Sequence, residues 1–208
     1  MESSVQEDRL AIRQAVRELC KDFPSAYWRD IDKHEKYPQE FVMSIKPGWE
    51  GRYFEDFEVG DIYQCRLGRT VTEADNIWFT LLTNNTNQIH FNNEYGKRTE
   101  FGKCLINSAL TLAIVAGLGV ADVSENGFAL GWDEIKLPSP LFAGDTLYSQ
   151  STVLEKRDSK SKPQWGIIKV RTQGIQQEGK VVIDYARSVM VWRKAFAPKK
   201  QLFPEVKA

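Results

Sequence analysis

One segment constrains the fold of this chain more than any other. SALTLAIVAGLGVADV, residues 108–123, is small or apolar on nearly every side. It predicts a helix, and the serine at its start can cap the helix by accepting a hydrogen bond from a free backbone amide. A helix without a polar face has to be buried all round. The sequence therefore predicts a central helix that other elements cover on every side.

Only strand patterns follow this helix. Four long segments are rich in Val, Ile, Tyr and Trp, namely FALGWDEIKL, DTLYSQSTVLEK, WGIIKVRTQGI and KVVIDYARSVMVWR. Residues of these types favour β-strands. Glu178-Gly179 predicts a hairpin turn before the last of them. One buried helix followed by four strands predicts an α+β fold, in which an antiparallel sheet wraps around the central helix.

The first part of the chain has apolar residues at helical spacing. Apolar residues recur at this spacing from Glu7 to Phe23, where Pro24 ends the pattern, and a second helix is predicted at 38–45. KPGWEG, with one proline and two glycines, indicates a linker. We therefore predict three parts: a helical N-terminal extension at 1–48, the main domain at 49–195 and a C-terminal tail at 196–208.

A polar loop follows the next two predicted elements, a strand and a helix. YQCRLGRTV, residues 63–71, alternates as a strand does, and Thr72 with Asp75 has the spacing of a capping box, which predicts a helix from Glu73 through IWFTLL. The loop NNTNQIHFN comes next and contains His90, one of two histidines in the chain. Four asparagines and no carboxylate surround this histidine.

Charge and cysteine content exclude several classes of function. Lys plus Arg equals Asp plus Glu at 28 each, so no net charge attracts nucleic acid or a membrane surface. The N-terminus lacks the apolar core of a signal peptide, and no apolar run is long enough to span a membrane, so we expect a cytoplasmic protein. The three cysteines form no CxxC pair. We expect no disulfide framework and no metal site, and we interpret the cysteines as small buried apolar residues.

Three blocks of sequence resemble a known family. FEDFEVGDIYQCRLGRTVTEADN, NTNQIHFNNEYGKRTEFGKCLINSALT and LPSPLFAGDTLYSQSTVLEKRDS resemble, in this order, the MaoC-like dehydratases of the hot-dog fold, which are related to the (R)-specific enoyl-CoA hydratases. The resemblance covers residues 50–193. It implies a long helix wrapped by an antiparallel sheet, a homodimer whose sheets join edge to edge, an acyl-CoA or other acyl thioester as ligand, and no cofactor.

The resemblance also implies roles for the residues of the polar loop. In the family an Asp and a His lie five residues apart in an Asp-x-Asn-Pro-x-His loop. His90 matches the histidine, Asn87 the internal asparagine and Gln88 the proline, while Asn85 takes the place of the aspartate. An amide can orient a water molecule but cannot take its proton at neutral pH. His90 is therefore the expected base, with Asn85 holding the water.

Further residues are candidates for parts of the site. Where the family often has His-Gly, this chain has Asn107 and Ser108, and amides at the start of the central helix could still stabilise a thioester oxygen. Asp133 or Glu134 could supply a proton, although a surface location is the simpler interpretation of either. The candidates for binding CoA phosphates or a substrate carboxylate are basic residues, namely Arg69, Lys97, Arg98 and Lys103.

These observations predict a hydratase or dehydratase that acts on an acyl-CoA. The NT and HFN patterns resemble those of MaoC-like family members that act on mesaconyl, itaconyl or methylmalyl thioesters. Two alternatives stay open, a hot-dog thioesterase and a non-catalytic acyl-CoA-binding subunit. The segment from Arg9 to Val42 also resembles the opening helices of acyl-CoA dehydrogenases. An unrelated amphipathic helix would explain that segment equally well, and neither interpretation implies flavin.

Overall fold

The structure, a computed structural model, describes 48–199 of the 208-residue chain and, nearer the N-terminus, 13–36 except for 15 and 19. The chain divides into two units, 1–48 and 49–208. In the first unit α1 spans Ser25–Lys33 and begins directly after Pro24, and the residues described between 13 and 22 are helical. Most of the remaining predicted N-terminal structure, including the helix at 38–45, lies outside the described residues, as does the C-terminal tail from 200 onward.

The second unit is an antiparallel sheet with helices on one face. Its elements in chain order are β1 (Ile62–Gln64), β2 (Arg69–Thr70), α2 (Glu73–Leu82), α3 (Asn93–Gly96), α4 (Ser108–Leu118), β3 (Gly127–Lys136), β4 (Thr146–Asp158), β5 (Trp165–Gln176) and β6 (Val181–Trp192). The strand order is β1-β4-β5-β6-β3, with β2 also paired to β4. All of these pairings are antiparallel, so the predicted α+β architecture is confirmed. No helix in the described ranges is long and apolar enough to cross a membrane.

The local signals in the sequence set most element boundaries. Thr72 and Asp75 form the predicted capping box, and α2 begins at Glu73 as expected. Gly179 has a φ of 84°, the left-handed conformation that suits glycine in the turn before β6. The predicted strand at 63–71 is interrupted between Gln64 and Arg69, where Gly68 packs against the ring of Tyr148.

Two of the apolar clusters in the core pack against the sheet. One joins Ile114 and Val115 of α4 to Leu147, Ile183 and Tyr185 of the sheet. The other contains no residue of α4, and its members are Phe54, Phe57, Val123, Val153, Ile168, Val170, Val189 and Val191. Burying one such aliphatic side chain contributes about 1.5–3 kcal/mol, so the first cluster holds the helix against the sheet.

Two expectations about burial are wrong. The central helix ends at Leu118, earlier than predicted, and a π-helical turn follows at Val120–Ser124. Its outer side, with Ala109, Ala113 and Gly117, is exposed, because the sheet covers only one side of the helix. The residues on the uncovered side are small and therefore present little apolar area to water.

Of the three cysteines none is buried: Cys20 is exposed, while Cys65 and Cys104 are half-buried.

Candidate active site

The ring of His90 is held in one orientation. His90 ends a 3-10 turn, Gln88–His90, and its Nδ1 lies 2.9 Å from the carbonyl oxygen of Leu105. A carbonyl can only accept a hydrogen bond, so Nδ1 carries the hydrogen. In the neutral ring the lone pair is then on Nε2, which has no hydrogen-bond partner among the described residues. Half-buried and locked in this tautomer, His90 is suited to act as a general base.

The asparagines of the loop shape its backbone. The side-chain oxygen of Asn85 accepts from the amide of Asn87 at 3.0 Å, and that of Asn87 accepts from the amide of Ile89 at 3.2 Å. These are short turns in which asparagine replaces a backbone acceptor. The NH2 group of Asn85 has no protein partner in the described residues, so it can donate to a water molecule. The role predicted for Asn85 is therefore compatible with its structural contact.

Asn107 and Ser108 have different roles at the start of α4. The side chain of Asn107 is buried and caps the helix by accepting from the amide of Ala109 at 3.0 Å. Its own amide donates to Asn76 at 2.8 Å, so neither group of Asn107 is available to a ligand. Ser108 is exposed, and among the described residues its amide has no partner. The N-terminal end of a helix favours negative charge, so Ser108 is the better candidate for the thioester oxygen.

An apolar cavity lies beside this helix end. It has a volume of about 220 Å3, and its lining includes Phe101, Leu105, Ser108, Leu137 and Val182. Leu105 therefore links the two parts of the site, since its carbonyl holds His90 and it also lines the cavity. Apolar cavities with a few polar groups at one end are typical of small-molecule sites.

The structure does not bring Asp133 and Glu134 to His90. Asp133 is opposite Ala186 in the sheet, whereas the neighbouring Tyr185 and Arg187 face α4. Because side chains alternate along a strand, Asp133 points to the opposite face, where it lies 3.7 Å from Lys169. Glu134 lines a cleft on that same face with Asp184 and other residues. The two carboxylates are thus separated from the helix end by the sheet.

The predicted basic residues are distributed over two places. Arg69 lines a larger cavity of about 1030 Å3 beside the C-terminal half of α4 and pairs with Asp75 at 2.7 Å. Lys97 pairs with Glu94 at 2.6 Å, and Arg98 is exposed without an ion pair in the described residues. Lys103 lies over the ring of Phe142 at 4.2 Å. Phe142 packs against Phe101 of the smaller cavity, so these contacts connect Lys103 to the lining of that cavity.

Two functional groups escaped the sequence analysis. Asn76 of α2 is buried and donates to the carbonyl oxygens of His90 and Leu105, and Thr80 accepts from the side chain of Asn107. The only signal for Asn76 and Thr80 in the sequence was that these two polar residues lie four positions apart in a predicted helix that also carries large apolar residues. Cys104 directly precedes Leu105 in the chain. Burial and, to a smaller extent, the negative charge of Glu73 raise the pKa of its thiol. A thiol that stays protonated is a poor nucleophile.

A sheet packed on one central helix, with a histidine loop beside the start of that helix, defines a MaoC-like protein of the hot-dog fold. The structure of a MaoC-like dehydratase from Rhodospirillum rubrum matches with a TM-score of 0.63 and 27% identity, over 69% of this chain and 99% of that one. A Mycobacterium tuberculosis protein with a double hot-dog fold matches with a TM-score of 0.65 and 18% identity, over 74% of this chain and 48% of that one, which shows the fold alone.

The family follows from the match of residues 42–199: the chain belongs to the mesaconyl-CoA hydratase family. It is 30% identical to a mesaconyl-CoA hydratase of Cereibacter sphaeroides over 145 residues, which is 69% of this chain and 42% of that protein. It is 31% identical to a β-methylmalyl-CoA dehydratase of Chloroflexus aurantiacus over 153 residues, which is 73% of this chain and 43% of that protein. The chain thus spans less than half the length of these two relatives.

Proposed function

We propose that this chain is a cytoplasmic hydro-lyase that adds water to, or removes it from, a short branched or dicarboxylic enoyl-CoA of the mesaconyl, itaconyl or methylmalyl type. One observation carries the proposal. Leu105 locks the His90 ring so that Nε2 is free, and the same segment leads directly into the free amide at the start of α4. The names of the two relatives support this class of substrate.

In the hydration direction, Nε2 of His90 takes a proton from a water molecule that the Asn85 NH2 group orients. The water oxygen bonds to the β-carbon, and the electron pair of the double bond moves toward the thioester. The backbone amide of Ser108 donates a hydrogen bond to the thioester oxygen as negative charge develops there. The protonated Nε2 then gives its proton to the α-carbon, which completes the addition of one water molecule.

A single histidine performs both proton transfers in this scheme, because Asp133 and Glu134 are on the other face of the sheet. Dehydration is the same path in reverse. Lys103, at the aromatic edge of the smaller cavity, is our candidate for binding a free carboxylate or a CoA phosphate.

The test is a hydration assay that follows loss of enoyl absorbance with mesaconyl-, itaconyl-, crotonyl- and a longer enoyl-CoA. We expect turnover of a dicarboxylic substrate by the wild type, and a loss of about 10²- to 10⁴-fold in kcat for His90→Ala, the usual contribution of general acid-base catalysis. His34→Ala is the matched control, since it removes the chain's other histidine, which is exposed at the end of α1. It should leave turnover unchanged.

Three results would overturn the proposal. Turnover that survives in His90→Ala would exclude His90 as the base. Release of free CoA from a saturated acyl-CoA, detected with a thiol reagent, would make the chain a thioesterase. Binding of acyl-CoA without turnover of any substrate would make it a non-catalytic binding subunit, which is the alternative that Asn85 in place of a carboxylate favours.

We also propose that the free edge of the sheet binds a second copy. Among the described strands β3 pairs only with β6, so its other edge offers ten residues of backbone. Apolar side chains lie along this edge, with Phe128 46% and Trp132 45% exposed. A long apolar edge strand is a template for pairing with another strand. Two copies related by a two-fold axis would pair their β3 strands and cover these side chains.

Light scattering coupled to size exclusion tests this dimer. We expect the wild type to have twice the chain mass and Trp132→Lys to shift toward one chain mass. Trp78→Lys is the control, because Trp78 is 74% exposed but lies on α2, away from the edge. A monomeric wild type at assay concentrations would contradict the proposed dimer.

A further inference from the structure

Helix α2 has its polar and apolar residues in the reverse of the usual arrangement. Asn76 is 2% exposed and Thr80 is fully buried, whereas Trp78 is 74% exposed and Leu82 is exposed as well. Asn76 and Thr80 are four residues apart and therefore share one side of the helix. Burying an amide is unfavourable unless its hydrogen bonds are satisfied. The inward side of α2 is therefore explained by its polar contacts.

Asn76 connects three separate backbone groups. Its Nδ2 donates to the carbonyl oxygen of His90 at 2.7 Å and to that of Leu105 at 3.0 Å. Its Oδ1 accepts from the amide of Asn107 at 2.8 Å. An asparagine side chain offers two donor hydrogens and one acceptor oxygen, and here every one of these groups is engaged. One side chain thus fixes both the base and the residue that caps α4.

The Leu105 carbonyl is the point at which these contacts meet. It accepts hydrogen bonds from Nδ1 of His90 and from Nδ2 of Asn76, so both of its lone pairs are engaged. Thr80 adds a second connection one turn later, since its hydroxyl accepts from the side chain of Asn107 at 3.3 Å. The ring of His90 and the first amides of α4 are therefore held relative to each other through α2.

We propose that Asn76 is a positioning residue for the reaction: it holds Nε2 of His90 and the start of α4 at the separation that hydration requires. This inference rests on the proposed function. Displacing a reacting group by about 1 Å can lower a rate about 100-fold. Removing the Asn76 side chain should therefore lower kcat about 10- to 100-fold. We expect KM to stay within about twofold, because Asn76 does not line the smaller cavity, which is our candidate for binding the acyl group.

The kinetic test compares Asn76→Ala with Thr80→Val and Trp78→Ala. Thr80→Val keeps the shape of its side chain and removes only the acceptor for Asn107, so we expect a smaller fall in kcat. Trp78→Ala changes the exposed side of the same helix and should leave kcat and KM unchanged. Equal kcat for Asn76→Ala and the wild type, when His90→Ala is inactive, would overturn the positioning role and leave the proposed function standing.

A second readout does not depend on turnover. Nitrogen-15 NMR distinguishes the two tautomers of a histidine ring, and His90→Ala assigns the signals because the chain has only two histidines. We expect the Nδ1–H tautomer for His90 in the wild type and a mixture of tautomers in Asn76→Ala, with His34 unchanged. If Asn76→Ala does not fold, Asn76→Ser takes its place. An unchanged His90 spectrum in the folded variant would refute the inference even if no substrate reacts.

Discussion

A single methyl group added to Gly174 should disturb the packing of the central helix on the sheet. Gly174 lies on β5, and a Cβ atom at this position would be 2.5 Å from Cγ2 of Val115 and 2.6 Å from Cγ2 of Ile183. Carbon atoms in contact are normally about 3.5–4.0 Å apart. Val115 and Ile183 are both fully buried, so neither side chain can move toward water to make room. The helix itself has to shift.

The expected effect of Gly174→Ala is the difference between two terms. Overpacking of a well-filled core destabilises a protein by about 1–3 kcal/mol. Replacing glycine by alanine offsets about 0.4–1 kcal/mol of this, because the unfolded chain loses conformational freedom. We therefore expect a loss of about 1–2 kcal/mol in the free energy of unfolding. For a domain of this size, this corresponds to a fall in Tm of roughly 2–8 °C.

Urea unfolding followed by tryptophan fluorescence, together with a thermal melt, measures this loss. Gly131→Ala is the matched control, because Gly131 is also a strand glycine but a Cβ atom there would meet nothing within 4 Å. The control should be as stable as the wild type or slightly more stable. The reasoning is refuted if Gly174→Ala and Gly131→Ala unfold at the same urea concentration.

Two further predictions concern charged groups of the sheet. Hydrogen bonds from Arg171 lower the pKa of Asp184, so this carboxylate contributes stability above its unfolded pKa of about 4, and the contribution is lost as the pH falls through the lower folded pKa. Asp184→Asn should therefore be less stable than the wild type at pH 7, by about 1 kcal/mol or less since Arg171 is half exposed. Urea unfolding at several pH values should show the difference beginning to shrink below about pH 4 and disappearing only below the lower folded pKa of Asp184. Arg187 is 3% exposed, and two of its nitrogens have no partner among the described residues, so its burial lowers the pKa of the guanidinium. Arg187→Met should leave stability unchanged or raise it by about 1–4 kcal/mol in urea unfolding, whereas a large loss would show that an anion pairs with Arg187 in solution.

Short-range signals in the sequence determined much of the fold. The capping box at Thr72 and the turn at Gly179 depend on residues within a few positions of each other, and the structure contains both. The four predicted strands agree with β3 to β6 to within about two residues at each end. The order of motifs also indicated the family and gave His90 as the candidate base.

The tertiary structure alone decided how the site is assembled. Nothing in the sequence shows that the sheet covers only one side of α4, since an apolar pattern does not tell which neighbours are present. Likewise, Asp133 and His90 are both polar residues near predicted elements, and only the register of β3 against β6 places that carboxylate on the far face.

The contacts of Asn76 illustrate the same limit. They join α2, the His90 loop and the segment before α4, which are 14 to 31 residues apart along the chain. Such contacts depend on three-dimensional distance, and a local pattern of residues carries no information about it. The sequence by itself determined the elements and the family, whereas the orientation of the His90 ring was decided by the Leu105 carbonyl, which only the folded chain brings next to it.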